Sequence, residues 1–212
     1  MKTKIVLAAA SMLLLACPPL VHAVTTCQTG TLTSYIALGA EGCIFDGAIY
    51  NNFSFPAIST NGITPDDILV TPNLLPAANL FQGLNFTPLL TTGWSVGAGL
   101  SEEFVINYDV ASIAPAGLGT GVLTLDLGAA QISGPIGSVI VKETIAPATT
   151  ASIPLEVFEI CEEVCSLKQS DSVTVTPIQP VQTTLTVTLD GGDGGVSLSG
   201  FAALDAFGPQ PG

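Results

Sequence analysis

The chain has 212 residues, of which 48% are hydrophobic and only 10% charged, with 17 acids, four lysines and no arginine. Its formal net charge of −13 leaves too few cations to neutralise phosphates, so nucleic acid and anionic membrane surfaces are poor partners. Apolar residues are too plentiful for a disordered acidic tail, and the composition fits a folded domain.

Residues 1–23 read as an export signal. Lys2 and Lys4 form a positive start, and Ile5 to Ala16 is an apolar run too short to span a bilayer comfortably. Two processing sites compete. Leu14-Leu15-Ala16-Cys17 resembles a bacterial lipobox, which would make Cys17 the lipidated first residue of an anchored lipoprotein. Val21-His22-Ala23 fits a signal peptidase site. Bulky Leu15 argues against the first, and Pro18-Pro19 argues for the second, because prolines end the signal helix and leave the cut site extended. Cleavage after Ala23 predicts one domain, residues 24–212, secreted or held in the cell envelope without a transmembrane anchor. The only histidine, His22, leaves with the signal, and Lys142 and Lys168 then stand against all 17 acids.

Along the mature chain, "TLTSYIALG" comes first, with Leu32, Tyr35, Ile36 and Leu38 at helical offsets. Hydroxyl residues precede it and Gly39 follows, which predicts one short helix. Cys27 and Cys43 bracket it. Thereafter the apolar period is two. Predicted strands are Ile44 to Phe55, Ile68 to Thr71, Leu84 to Phe86 and Trp94 to Val96. "EEFVINYDV" sets Phe104, Ile106, Tyr108 and Val110 on one face, and "VLTLDL" alternates Leu123, Leu125 and Leu127 against Val122, Thr124 and Asp126. Ser138 to Glu143, Pro154 to Ile160, Val173 to Thr176, "TTLTVTL" and Val196 to Ala202 complete the set. "PNLLPAANLFQG", Pro72 to Gly83, reads as non-strand with room for one helical turn. Gly, Pro, Asn and Asp clusters punctuate the strands. The predicted fold is all-β: a single antiparallel sandwich, jelly-roll-like, of about ten strands with one short N-terminal helix.

Once Cys17 is removed or lipidated, Cys27, Cys43, Cys161 and Cys165 remain. An even count in an exported chain predicts two disulfides with three possible connectivities. Their spacing, without histidine, fits a zinc site badly.

"CQTGTLTSYIALGAEGCIFDGAIYNNFSF", Cys27 to Phe55, resembles the mature start of exported bacterial β-sandwich proteins associated with PEP-CTERM sorting tails. "VFEICEEVCSL", Val157 to Leu167, is similar to their second, local cysteine pair. Members with the tail end in Pro-Glu-Pro, an apolar helix and a basic cluster, whereas this sequence ends at Gly212 without them, so membrane sorting is not implied. The resemblance implies an exported sandwich linked to envelope or exopolysaccharide, with no established catalytic residues. The pairing expected is Cys27–Cys43 and Cys161–Cys165. The second needs a turn, because cysteines four apart on an extended strand lie about twice too far apart to bond.

Without a mature histidine, Ser-His-Asp, Cys-His and histidine–metal sites are excluded. A Ser-Lys nucleophile would need Lys142 or Lys168, and Lys142 in "SVIVKET" reads as an exposed strand lysine. A carboxylate glycosidase would need two nearby acids. Glu102 and Glu103 are adjacent on a strand and point to opposite faces, and Asp66 and Asp67 follow Pro65 as a turn. "LDGGDGG" offers Asp190 and Asp193 as oxygen ligands for calcium, against the plainer reading of a glycine-rich hairpin. Trp94, the only tryptophan, is a candidate stacking platform for sugar rings, against the alternative of a core position. The expected function is a structural or binding protein of the extracellular matrix or envelope. It needs no cofactor and meets extracellular polysaccharide or other envelope components. The alternative is a carboxylate-based carbohydrate enzyme or a weak carbohydrate-binding module.

Overall fold

A computed structural model describes residues 24–56, 59, 62–74, 82–89, 93–113, 121–147, 151–175 and 180–207. The described chain begins with β1 (Thr25–Thr26), β2 (Gly30–Thr31) and a single helix, α1 (Leu32–Ile36). The Thr31 side chain caps α1 by accepting from the Ser34 N–H, and Gly39 closes the turn beyond it at φ 57°. Leu32 and Tyr35 bury the inner face of the helix, and the Tyr35 hydroxyl donates to the Gln28 carbonyl at 2.8 Å.

Next come β3 (Cys43–Phe45), β4 (Ala48–Ser54), β5 (Ile68–Leu74), β6 (Gln82–Pro88), β7 (Trp94–Val96) and β8 (Ser101–Ser112). A 3₁₀ turn, Pro65–Asp67, introduces β5. Then follow β9 (Gly121–Leu127), β10 (Ala130–Ile132), β11 (Ile136–Pro147), β12 (Ile153–Glu162) and β13 (Val164–Lys168). The last four are β14 (Ser170–Val175), β15 (Val181–Asp190), β16 (Val196–Leu198) and β17 (Phe201–Phe207).

These strands form an all-β sandwich. The larger sheet runs β1-β3-β4-β8-β15-β11-β12-β13 and the smaller β14-β9-β17-β6-β5-β2, with a third, β10-β16-β7, of three short strands. Every pairing is antiparallel except β1 with β3. Strict alternation builds the core: Phe104, Ile106, Tyr108 and Val110 of β8, Leu185, Val187 and Leu189 of β15, and Leu123, Leu125 and Leu127 of β9 are all buried. Phe53 stacks on Tyr108 at 5.3 Å, and Phe86 on Phe201 at 5.1 Å.

Several boundaries depart from expectation. Ile44 to Phe55 is two strands: Asp46 at φ 42° and Gly47 at φ 86° make the two-residue hairpin turn that Asp-Gly favours. The two later Asp-Gly steps do not. "LDGGDGG" carries the chain from β15 in the larger sheet to β16 in the third, and these strands do not pair. Pro72 to Leu74 and Gln82 to Gly83 are strand, and the remainder of the expected helical turn lies outside the described residues. Val196 to Ala202 is interrupted at Ser199-Gly200, where Gly200 has φ 136°. Seventeen strands are described rather than about ten, because pieces of two or three residues are too short to carry a periodic signal.

Both expected cysteine pairs are joined. Cys27–Cys43 ties the segment ahead of α1 to β3 across 16 residues. Cys161 and Cys165 sit directly opposite each other on β12 and β13, with Cα atoms 4.0 Å apart. The chain reverses at Glu163, whose φ of 69° supplies the turn that the spacing demands.

Candidate functional site

A β-bulge borders a polar cleft on the larger sheet. Along β4, Tyr50 faces the core and Asn51 faces out, so simple alternation would send Asn52 inward. Instead the register with β8 slips between Asn51 and Ser54, and Asn52 takes φ 54°. The extra residue keeps Asn52 exposed and returns Phe53 to the core at 4% exposure. Beside it lies a cleft of about 460 Å³ over three adjacent strands, lined by Asn52 and Ser54 of β4, Asn107 and Asp109 of β8, and Gln182 and Thr184 of β15.

Internal hydrogen bonds hold part of this lining in place. The Asn52 Nδ2 donates to Asp109 Oδ2 at 2.7 Å, and the Asn107 Nδ2 donates to Ser54 Oγ at 3.3 Å. The Gln182 side chain is exposed. Planar amides, hydroxyls and one carboxylate therefore meet in the cleft, and neither Lys142 nor Lys168, the lysines among the described residues, lines it. The outward row continues along β15 through Thr186 and Thr188, both half-buried.

Beneath the cleft is a buried polar cluster. Tyr108 and Thr183 lie opposite each other on β8 and β15 and touch the cleft floor, and their side chains are joined by a hydrogen bond. Glu143 of β11 and Asp205 of β17 enter the core from opposite sheets, at 2% and 5% exposure. The Tyr50 hydroxyl donates to Asp205 Oδ2 at 3.2 Å. Burial pushes Asp205 up to about 7, opposed by the Tyr50 hydrogen bond. Burial, then the charge of Asp205, holds Glu143 well above the usual carboxylate range. Burial likewise raises Tyr50 and Tyr108, reinforced by the neighbouring acids.

These acids carried a readable signal. Glu143 is in phase with Val139, Val141 and Ile145, and Asp205 with Phe201 and Ala203, so each occupies a core position of its strand. Glu102 is in phase with Phe104 and is buried, whereas Glu103 is exposed, on the opposite face.

Trp94 is 3% exposed, set edge-on to Phe104 at 5.2 Å and tilted against Phe201 at 6.0 Å, so its ring is not offered to a ligand. Asp190 and Asp193 are exposed, and Asp190 Oδ1 accepts from the Gly192 N–H at 3.0 Å, as a turn-forming aspartate does. Among the described residues no group of three or more His, Cys, Asp or Glu is arranged to hold a metal ion. Lys142 lies on an exposed strand face, 3.8 Å from Glu156, and Lys168 pairs with Asp171 at 2.8 Å. Among the described residues no helix is long and apolar enough to cross a membrane.

No protein-family model and no curated protein sequence matches the chain. Solved structures overlap it at low identity. TmCBM61, solved in complex with beta-1,4-galactotriose, shares 12% identity at a TM-score of 0.34, covering 74% of this chain and 86% of its own. TmCBM27, a carbohydrate-binding module studied for mannan recognition, shares 11% identity at a TM-score of 0.28, covering 85% of this chain and 96% of its own. The enzymatically active domain of the bacteriophage CBA120 tailspike protein 4 shares 10% identity at a TM-score of 0.32, over 74% of this chain and 19% of its own.

Proposed function

We propose that this chain is an exported, non-catalytic sandwich that holds an uncharged, hydroxyl-rich polymer, a neutral polysaccharide of the matrix or envelope, in the cleft over β4, β8 and β15. The observation that carries this reading is the lining: amide and hydroxyl groups that pair with sugar hydroxyls, one carboxylate, and no cation to attract an anionic polymer. The two disulfides support an oxidising compartment. The resemblance of Cys27–Phe55 and Val157–Leu167 to exported proteins associated with PEP-CTERM sorting supports the same setting. Because Trp94 is buried, binding rests on hydrogen bonds rather than on ring stacking, and it is weak.

The paired carboxyls Glu143 and Asp205 lie in the core and are not presented to a substrate, which supports binding over glycoside hydrolysis. Affinity electrophoresis tests the reading. Gels containing neutral polysaccharides should retard the protein, and gels containing uronic-acid polymers should not. Gln182→Ala, an exposed change, should weaken retention about fivefold, the worth of one hydrogen bond of ~1 kcal/mol. Equal retention of wild type and a Gln182→Ala/Thr184→Val double variant would move the site elsewhere.

A further inference from the structure

We propose that a proton-operated latch joins the two sheets: the Glu143–Asp205 carboxyl pair, with the hydroxyls of Tyr50 and Tyr108, holds the sandwich closed when protonated and loosens it on ionisation. Glu143 stands on β11 of the larger sheet between Leu155 of β12 and Leu185 of β15. Asp205 stands on β17 of the smaller sheet, opposite Leu123 of β9 and Gln82 of β6. The Tyr50–Asp205 hydrogen bond therefore crosses from one sheet to the other.

The groups that face this pair are all acids or hydroxyls. They are Tyr50 from β4 and Tyr108 from β8, with Thr183 from β15 bonded to Tyr108 and the exposed Asp46 at the β3–β4 turn adding its charge at Tyr50. No cation is among them. The neighbouring Lys142 is on the opposite, exposed face of β11, with Glu156. Two carboxylates without a counter-ion in a low-dielectric core repel and lose solvation together, so the closed state needs protons.

Both acids bind protons more tightly folded than unfolded, so their contribution is fully present below the ordinary carboxylate range. It declines as pH rises through about 7, the value to which Asp205 is raised. Tyr108 and Thr183 also touch the cleft floor, so opening the latch disorders the cleft. That last consequence rests on the polysaccharide reading, and the latch itself does not.

Thermal denaturation from about pH 5 to about pH 9 in high salt is the test, because salt screens surface acids and leaves the buried pair unscreened. The melting temperature should fall by roughly 10 °C across that range. In Asp205→Asn the fall should be at least halved, and in Glu143→Gln/Asp205→Asn it should vanish. A flat or rising wild-type profile, or an unaltered fall in the double variant, would overturn the proposal. Infrared spectra of the wild type give a reading that needs no variant. A protonated-carboxyl band should persist near neutral pH, where ordinary carboxyls are ionised, and its absence would overturn the latch. Loss of polysaccharide retention at every pH would instead count against the cleft reading alone.

Discussion

Phe104→Ala should lower the free energy of unfolding by about 3–5 kcal/mol, a large share of the stability of a single domain. Phe104 is fully buried on β8, which lies between β4 and β15 in the larger sheet. Its ring meets Trp94 edge-on at 5.2 Å and stacks on Phe55 at 6.1 Å. Truncation removes the ring and leaves a cavity that these rigid neighbours cannot close, so transfer and cavity terms add. Val105, the next residue, faces the other side and is half-buried. Val105→Ala is the control, and it should cost less than about 1 kcal/mol. Equilibrium urea denaturation of both variants checks the pair, with an unchanged slope confirming that the same surface is exposed.

The second large effect concerns Cys27–Cys43. Replacing both cysteines with serine should cost about 3 kcal/mol, the chain-entropy value for a loop of this size, whose ends are 16 residues apart. The loop contains α1, whose buried Leu32 and Tyr35 pack into the core, so opening it removes the covalent tie between this packed segment and β3. β1 has only two residues and β2 only two, too few to fix this end by ladder bonds alone. Cys161–Cys165 behaves differently. It closes a four-residue separation at the edge strand β13, where Val164 and Leu167 are exposed. Its loss should release β13 locally and leave the main unfolding transition near its original position. Denaturation of the two serine pairs, followed with hydrogen exchange, distinguishes global from local loss.

The sandwich was legible because its long strands alternate over seven to twelve residues: β8, β9 and β15 carry the pattern without a break. α1 was legible from its cap and its closing glycine. The Asp-Gly steps show where local signals stop. Asp46-Gly47 turns a hairpin because β3 and β4 pair on either side of it, whereas the Asp190-Gly191 pair sits between strands committed to different sheets. Turn chemistry permits a reversal, and strand pairing decides whether one occurs. The cleft was hidden for a related reason. Asn52 becomes an outward residue only through the bulge against β8, a long-range register that no local spacing records. The buried acids were visible in strand phase, yet their meeting across the core depends on which sheet each strand joins.

Side-chain amide NMR tests most directly whether the cleft is the working surface of the protein. During titration with soluble neutral oligosaccharides, the amide signals of Asn52, Asn107 and Gln182 should shift together, saturate weakly and leave no new reducing ends in solution. Shifts gathered elsewhere on the sandwich, none with any neutral sugar, or the appearance of cleaved product would contradict it.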